Sequence, residues 1–336
     1  MSTNPVRIGT RGSQLALWQA NHIADELRRR GHTVAVEVIR TTGDRMQDPT
    51  FAAPASFDDG TPLDAKGIFI KEIEDALLDG RIDVAVHSLK DLPTTLDPRF
   101  TLAAIPKRAD ARDAFVCEQY WGLHMLPLGS LVGTTSPRRQ AMLLALRPDL
   151  EFFNMRGNID TRLRKWAAGE VDALVLASAG LDRLGRTEHV HQRFSVDELC
   201  PAPGQGALAL EVLSSRANAS SADQTRATAH DTILEALQGL NDAETAFATA
   251  AERAVLAALG GGCNLPLGAF CHAEDAQWHL HAMAVSTDGE AVAHAVHKAA
   301  QGISPEEFGQ VTAEELRRRG ALQLLQGNPD ALVSEQ

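Results

Sequence analysis

The spacing of apolar and polar residues predicts that strands and helices alternate from the N-terminus onward. Residues 6–8 and 34–39 form short apolar runs, as expected for strands of an α/β sheet. Between these runs, residues 14–30 carry apolar side chains three or four positions apart, which predicts a helix with one buried face. Ser13 is a suitable N-cap for this helix, and Gly31 is a suitable residue to end it.

A second strand–turn–helix unit is predicted in the middle of the chain. Residues 131–132 lead through a Gly-Thr-Thr-Ser-Pro turn into a helix over 138–146. In addition, the segment 80–87 (GRIDVAVH) resembles the segment 169–176 (GEVDALVL), which lies 89 positions later. The two matches predict two similar α/β lobes with a ligand cleft between the ends of their strands.

The C-terminal third predicts a smaller α+β domain. Residues 214–229 are polar and rich in small residues, which is typical of a surface insertion, and residues 47–60 form another loose segment. An Ala-rich helix is predicted from about residue 242 to 259, followed by a triple-glycine turn and alternating strands such as 278–285. The predicted domains are residues 1–106 with 204–216 for lobe one, 107–203 for lobe two, and 240–336 for the C-terminal α+β domain.

Composition excludes several classes of protein. Of 336 residues 44% are hydrophobic, which is enough for more than one core and excludes wholesale disorder. The net charge is −12, which argues against a nucleic-acid or membrane-surface binder, and neither a secretory signal nor a long apolar run is visible. The four cysteines show no metal-binding or disulfide spacing. We therefore expect a cytoplasmic, soluble protein that needs no metal.

Basic residues are nevertheless concentrated between positions 138 and 165. This segment contains seven Arg or Lys residues and three acidic residues. Arg138 and Arg139 open a helix just after a Gly-Thr-Thr-Ser turn, where free N–H groups and the helix dipole favour an anion. Arg11 beside Ser13 repeats this arrangement in lobe one. The pattern indicates a small polyanionic ligand, and nucleic acid is a weaker explanation because aromatic residues make up only 5% of the chain. For Arg147, Arg164 and Lys165 a solvated helix face is the preferred interpretation.

Two further positions could carry chemistry. Lys90 and Asp91 follow an apolar strand, and at the offset of 89 the second lobe has Ala and Gly in their place, so charged chemistry is expected in lobe one. Asp91 could act as a general acid or base or hold a developing cation, or it could form an ion pair with Lys90. His87 is better explained as a hydrogen-bonded strand histidine. Cys263 follows three glycines, and spacing alone favours a packed thiol over a nucleophile.

The motifs taken together resemble the porphobilinogen deaminase family of tetrapyrrole biosynthesis. The resemblance extends from about residue 7 to 268 and is carried by these ordered blocks: IGTRGSQLALWQ, KGIFIKE, DVAVHSLKDLP, GTTSPRRQ, MRGNIDTRL, LASAGLDRLG, PGQGALALE and AERAVLAALGGGC. The resemblance implies two lobes like those of periplasmic solute-binding proteins, a C-terminal domain that carries a cofactor, and a monomeric protein. The sequence departs from the family pattern at Asp64-Ala65 and Pro137, and neither departure removes a charged site residue.

The resemblance also implies the roles of individual residues. Cys263 is expected to hold a dipyrromethane cofactor through a thioether, and Asp91 is expected to be the catalytic carboxylate, with Lys90 and Arg11 beside it. In the implied reaction Asp91 assists the loss of ammonia from porphobilinogen, and four such units are added before hydroxymethylbilane is released. The carboxylates of cofactor and substrate are expected to bind a set of polar and basic residues: Arg11, Ser13, Lys66, Lys90, Ser136, Arg138, Arg139, Arg156, Arg162 and Arg183.

Two alternatives remain open on the sequence alone. A non-catalytic two-lobed solute-binding module would share the fold but not need Asp91 or Cys263. A cysteine hydrolase using Cys263 would form an acyl-enzyme, with His272 as a chance partner.

Overall fold

The computed structural model describes residues 5–42, 67–214, 224–261 and 265–326. The chain divides into two compact units, the first made of residues 1–107 and 208–243 and the second of residues 108–207 and 244–336. Each unit contains a five-stranded sheet, and the second also contains a three-stranded sheet. This mixture of helices and largely parallel sheets confirms the predicted α/β class.

The strands and helices of the described residues have the following bounds. The strands are β1 (Val6–Thr10), β2 (Val34–Val38), β3 (Val84–Ser88), β4 (Phe100–Ala104), β5 (Asp113–Val116), β6 (Leu131–Gly133), β7 (Glu151–Phe153), β8 (Ala173–Ala177), β9 (Val190–Arg193), β10 (Leu208–Leu213), β11 (Leu267–Glu274), β12 (Gln277–Val285) and β13 (Val292–Ala300). The helices are α1 (Gln14–Arg29), α2 (Gly67–Leu78), α3 (Pro137–Leu146), α4 (Ile159–Ala167), α5 (Ser178–Leu184), α6 (Gln224–Gln238), α7 (Ala243–Ala258), α8 (Pro305–Arg318) and α9 (Ala321–Leu325).

The two five-stranded sheets have the same topology. The first has the order β2-β1-β3-β10-β4, with β1 parallel to β2 and β3 and with β10 antiparallel to β3. The second has the order β7-β6-β8-β5-β9, with β6 parallel to β7 and β8 and with β5 antiparallel to β8. Strands β3 and β8, which the sequence match pairs, occupy the third position of their sheets. The internal correspondence read from the sequence is therefore confirmed.

Helix α1 shows why the N-terminal pattern folds as it does. Ala20, Ile23, Ala24 and Leu27 are fully buried against the first sheet, while the opposite face carries charged residues. Burial of each Ile or Leu side chain contributes roughly 1.5–3 kcal/mol. Ser13 caps the helix by accepting a hydrogen bond from the backbone N–H of Ala16 at 3.3 Å. The helix and its cap were both predicted.

The third sheet is antiparallel, in the order β11-β12-β13, and belongs to the second unit. One face packs on α7, α8 and α9 through a core that includes Val255, Leu280 and Phe308. At one end of the sheet, Met283 and Val285 join the core of the second five-stranded sheet. The predicted boundary between lobe two and a separate C-terminal domain stays a prediction.

No helix within the described ranges combines the length and the apolar character that crossing a membrane requires.

Candidate functional site

Asp91 lies on a single 3-10 turn, Leu89–Asp91, directly after β3. The turn is fixed because Leu89 and Leu92 on either side are buried, and because the side-chain amide of Gln19 donates a hydrogen bond of 2.9 Å to the Ser88 hydroxyl. The Asp91 side chain is exposed. Within the described ranges its carboxylate has no hydrogen bond or ion pair, so the Lys90 pair considered from the sequence does not form. The carboxylate is available to a ligand.

His87, four residues earlier, is a packed strand residue. Its Nε2 lies 3.1 Å from Oε2 of Glu211 on the neighbouring strand β10, and both side chains are buried. This confirms the interpretation of His87 as a hydrogen-bonded strand histidine. Nearby, burial and then the negative charge of Glu211 raise the pKa of Glu74 to about 7. The interior behind the Asp91 turn thus holds several ionisable groups.

Ser13 and Arg11 lie in the turn between β1 and α1. The Ser13 hydroxyl accepts from the backbone N–H of Ala16, and the Thr10 hydroxyl donates to the carbonyl of Ala16 at 3.0 Å. Both side chains of the predicted pair are partly exposed. The turn therefore presents a hydroxyl and a guanidinium group at the start of a helix, as the sequence predicted.

Ser136 has the equivalent position in the second unit, where it caps α3. Its hydroxyl accepts from the backbone N–H of Arg139 at 3.4 Å, and Pro137 occupies the first turn of the helix. Because Pro137 has no N–H, it leaves no unsatisfied donor at this position. The positive end of the α3 dipole lies at the same turn.

The guanidinium groups of Arg138 and Arg139 are buried and paired with one carboxylate. Arg138 donates to Oδ2 of Asp113 at 2.7 Å, and Arg139 donates to Oδ1 of Asp113 at 2.7 Å. They also donate to the backbone carbonyls of Cys200 and Val175, at 2.6 and 3.1 Å. Although burial alone raises the pKa of Asp113, the two arginines lower it to about 2. Two cations and one anion leave a net charge of +1.

Asp113 and Gln205 were not recognised from the sequence. The Gln205 amide donates to Oδ1 of Asp113 at 3.0 Å and to the carbonyl of Ala111 at 2.6 Å, and both polar side chains have no exposed surface. A signal was present, because an Asp at the start of the apolar strand β5 needs a buried partner. The sequence does not say which basic residue supplies it.

Arg162 extends the positive region from helix α4. Burial, and then the charge of Arg139, lower the pKa of Arg162 to about 10. Its Nε donates to the carbonyl of Gly157 at 2.9 Å, and no carboxylate among the described residues pairs with it. Among the described residues, Arg139 pairs with the Asp113 carboxylate and Arg162 pairs with none, so the positive charge of these two arginines is not fully compensated there. An anionic ligand would relieve this excess.

The remaining predicted anchors occupy different environments. Arg156 is exposed and has no ion pair within the described ranges. Arg183, on α5, donates to the carbonyl of Gly206 at 2.7 Å, and burial lowers its pKa to about 10. Lys90 is partly exposed on the Asp91 turn. Lys66, Cys263 and the segment 47–60 lie outside the described residues.

The described range 224–261 ends in a glycine turn, two residues before Cys263. Helix α7 stops at Ala258, and the backbone N–H of Gly261 donates to the carbonyl of Leu256 at 2.8 Å. Gly260 and Gly261 have positive φ angles of 112° and 71°, which residues other than glycine rarely adopt. The glycines thus end the helix, as the sequence predicted.

A buried carboxylate on α7 connects this helix to two other segments of the second unit. Glu252 pairs with Arg108 at 2.7 Å and accepts hydrogen bonds from the backbone N–H groups of Gly204 and Cys271, at 2.7 and 2.9 Å. It has no exposed surface. This network holds the 203–207 segment in place, a role that the sequence did not reveal.

Comparison with known families and proteins gives a consistent result. Residues 6–221 match the family model of the porphobilinogen deaminase dipyromethane cofactor binding domain, and residues 246–318 match that of its C-terminal domain. A porphobilinogen deaminase of Burkholderia mallei (strain SAVP1) is 41% identical over 331 residues, which is 97% of this chain and 92% of the relative. One of Roseiflexus castenholzii is 44% identical over 329 residues, or 96% and 99% of the two chains.

Among solved structures, the methionine binding protein MetQ gives a TM-score of 0.40 at 10% identity, covering 71% of this chain and 96% of that one. The full-length relatives and the two family models confirm the resemblance read from the sequence blocks. This chain belongs to the porphobilinogen deaminase family.

Proposed function

We propose that the protein is a transferase of tetrapyrrole biosynthesis that condenses four molecules of porphobilinogen and releases hydroxymethylbilane and ammonia. The observation that carries this proposal is the exposed carboxylate of Asp91, held on a fixed turn after a buried strand, in a chain of this family. The basic residues of the second unit supply positive charge to bind carboxylates, which the reaction requires because each pyrrole unit brings an acetate and a propionate group.

Asp91 is proposed to assist the bond cleavage in each cycle. The substrate aminomethyl group is in its ammonium form when its C–N bond breaks, so the bonding electron pair leaves with the nitrogen as ammonia. The remaining cationic azafulvene is stabilised by the Asp91 carboxylate, which accepts a hydrogen bond from the pyrrole N–H. A new C–C bond would then form between this methylene carbon and the free α-carbon of the acceptor pyrrole, and the proton on that α-carbon would leave. A carboxylate that accepts no other hydrogen bond from the described residues is suited to this stabilising role.

The described residues fit a dipyrromethane cofactor, which is a polycarboxylate. Arg139 and Arg162 lie close enough for the first to lower the pKa of the second, and the Asp113 carboxylate compensates only one of the two arginines with which it pairs. Ser136 and the start of α3 add hydroxyl and N–H groups. When bound, such a cofactor supplies the free pyrrole carbon that is the nucleophile. This chain's residues hold its carboxylates.

Cys263 is proposed to carry the cofactor through a thioether. The family match assigns cofactor binding to residues 6–221, while Cys263 follows the glycine turn at the end of α7. Support for this position comes from the sequence block that ends in Gly-Gly-Gly-Cys and from the other cysteines. Cys117, Cys200 and Cys271 are buried, and burial raises the pKa of the Cys200 and Cys271 thiols. A buried, protonated thiol is a poor nucleophile.

The predicted anchors take two roles in this proposal. Arg11, Ser13, Lys66 and Arg156 are assigned to substrate carboxylates, together with Arg162 and Arg183. The residues assigned to the cofactor are Ser136, Arg138, Arg139, Lys90, Asp91 and Cys263, together with Arg162, which serves both ligands. Arg138 and Arg139 keep some N–H groups beyond those used by Asp113 and the two carbonyls, since each guanidinium has five.

The proposal also includes the organisation of the chain: three domains with the predicted boundaries, a monomer, and a cytoplasmic location. Sedimentation or light scattering of the purified chain tests the monomer directly. A dimer at micromolar concentration would contradict that part alone.

Incubation with porphobilinogen tests the function. We expect one ammonia released for each porphobilinogen consumed, together with a linear tetrapyrrole that closes on standing, with loss of water, to a porphyrinogen, which oxygen of the air then oxidises to a porphyrin. The alternative of a non-catalytic solute-binding module predicts retention of intact porphobilinogen without ammonia. A preparation that carries the cofactor and releases no ammonia would reject the enzyme assignment.

A further inference from the structure

One face of the third sheet carries an unusual concentration of histidines. His272 lies opposite His279 in the β11–β12 register, and Met283 of β12 lies opposite His294 of β13. His281 is two residues from His279, so their side chains point to the same face. The ring centroids of His272 and His281 are 5.7 Å apart, and those of His281 and His294 are 6.2 Å apart. The four imidazoles therefore form a continuous row.

Asp197 meets one end of this row from the turn after β9. Its Oδ1 lies 3.3 Å from Nδ1 of His281. One donor atom each from Asp197, His281 and His294 lie within 4.8 Å of one another. Ligand atoms on a tetrahedral ion with bonds of about 2.0–2.1 Å are about 3.3 Å apart. The Asp197–His281 separation equals this distance.

The nitrogen atoms at this position lack the hydrogen bonds that would explain a purely structural arrangement. Nε2 of His294 is buried and has no hydrogen-bond partner among the described residues. The buried Nδ1 of His281 makes no well-directed hydrogen bond there either, although Oδ1 of Asp197 lies 3.3 Å away. Buried polar atoms without partners are rare in folded proteins and destabilise them.

The turn that carries Asp197 is itself well ordered. The hydroxyl and backbone N–H of Ser195 donate to Oε2 of Glu198 at 2.9 and 2.8 Å, and the Glu198 N–H donates back to the Ser195 hydroxyl at 3.2 Å. Asp197 lies between these two residues, and 72% of its side chain is exposed. The carboxylate is therefore held near the two imidazoles while one side stays open to solvent.

We propose that Asp197, His281 and His294 form a binding site for a divalent transition-metal ion such as Zn²⁺. Two imidazoles and one carboxylate are a ligand set that suits such ions, and water can take the open position. Reasoning from cysteine spacing could not find this site, because its ligands are two histidines on neighbouring strands and an aspartate 84 positions before the first of them. The proposal is independent of the reaction assigned above.

A second trio lies at the other end of the row and serves as an internal comparison. Oε2 of Glu274 lies 3.5 Å from Nδ1 of His279 and 3.8 Å from Nε2 of His272. The second trio contains one buried nitrogen without a hydrogen bond, Nδ1 of His272, but its contact with Glu274 is through the other ring nitrogen, Nε2. In the first trio two buried nitrogens lack hydrogen bonds, and one of them, Nδ1 of His281, is the atom that faces Asp197, at the shorter distance of 3.3 Å. We therefore assign the ion to the first trio.

Calorimetric titration of the tag-free, chelator-treated full chain with Zn²⁺ tests the proposal. We expect one equivalent bound, with affinity weakened at least about tenfold in both Asp197→Asn and His294→Gln, since loss of even an outer partner of a metal ligand has an effect of this size. The matched controls are His297→Gln, on the opposite face of β13 and bonded to Thr312, and Glu274→Gln in the second trio. Both controls should bind Zn²⁺ as the parent does.

Asp197→Asn guards against misfolding, because its exposed side chain can change without disturbing the core. Its melting temperature without metal should equal that of the parent, and Zn²⁺ should raise the melting temperature of the parent only. The proposal is overturned if the parent binds no Zn²⁺ or if only Glu274→Gln loses binding. It is also overturned if the Asp197 and His294 variants bind Zn²⁺ as tightly as the parent does.

Discussion

Arg139 donates two hydrogen bonds to a single oxygen of Asp113, Oδ1, from Nε at 3.1 Å and from Nη2 at 2.7 Å. The Arg139 side chain begins one turn into α3, yet its charge is directed into the protein toward the first residue of β5. This pairing defines the centre of the second unit's positive region. It also determines how the basic residues of that region can be tested.

Replacement of Asp113 should destabilise the protein strongly. Asp113→Asn leaves Arg138 and Arg139 buried without a compensating charge, and removing one partner of a buried ion pair costs about 3–5 kcal/mol. Denaturant unfolding measures this difference. The control is Asp25→Asn, which breaks an exposed pair with Arg28 and should change the free energy of unfolding little. Equal stability of the two variants would show that the buried pairing contributes nothing.

The same carboxylate predicts a loss of stability in acid. Its pKa in the folded state is about 2, below the value of about 3.9 in unfolded chains. The stability that it contributes is therefore fully present above about pH 4 and is lost as the pH falls toward 2. The free energy of unfolding of the parent should fall over this range more steeply than that of Asp113→Asn. Parallel pH profiles would contradict the assigned pairing.

Glu74 predicts the opposite dependence on pH. Its pKa is about 7 in the folded state and about 4.3 in an unfolded chain, so the folded protein holds a proton that unfolding releases. The parent should lose stability as the pH rises from about 4 to 7, whereas Glu74→Gln should not. The melting temperature of Glu74→Gln minus that of the parent should therefore be larger at pH 8 than at pH 4. An unchanged difference would show that Glu74 titrates normally.

Arg162 separates ligand binding from folding better than the buried pair can. Arg162→Gln removes a desolvated cation that has no carboxylate partner among the described residues, so the melting temperature of the cofactor-free chain should not fall. A lost charge-assisted hydrogen bond of about 1.5–3 kcal/mol should raise KM for porphobilinogen or the concentration needed for cofactor assembly about 10- to 100-fold. Arg164→Gln, an exposed position on the same helix, is the control. Identical kinetics of the two variants would remove Arg162 from the site.

Leu in place of Arg138 or Arg139 should block cofactor assembly or early elongation. Because each substitution also leaves Asp113 with one partner, loading must be compared at a temperature where circular dichroism shows the variant folded. Full cofactor content with normal elongation in both variants would refute their role as anchors.

Asp91→Asn should fold normally and lose most activity. The carboxylate is exposed and makes no contacts within the described residues, so the melting temperature should match that of the parent. Loss of its charge should lower kcat at least about 100-fold, the range for removal of a group that stabilises developing charge. Asp79→Asn, an exposed carboxylate before β3, is the matched control. A variant at Asp91 with near-normal kcat would reject the assignment.

Local features of the fold were predictable, and long-range pairings were not. Helix α1 and its Ser13 cap follow from spacing and capping rules that act within a few residues. The match of β3 with β8 follows from the similarity of two short segments 89 positions apart. The burial of Arg138 and Arg139 depends on Asp113, which is 25 positions before Arg138 in the sequence. Sequence analysis placed both arginines correctly at a helix start, but the direction of their side chains is set by this distant carboxylate.

The candidate site shows the same division. Asp91 could be recognised because a charged pair after an apolar strand is a local signal, and the structure adds that its carboxylate is exposed. Glu252, Gln205 and Asp197 gave no such signal, because each acts through partners from separate segments of the chain. Family resemblance identified the chemistry, while the structure identified the buried charges that support it.

The most direct test of the account is the intact mass of the purified chain beside that of Cys263→Ser. The account predicts that the parent carries extra mass equal to two linked pyrroles, or gains it on incubation with porphobilinogen, and that the variant does neither. A parent that stays unmodified after incubation with porphobilinogen, or a Cys263→Ser variant that carries the same adduct, would contradict it.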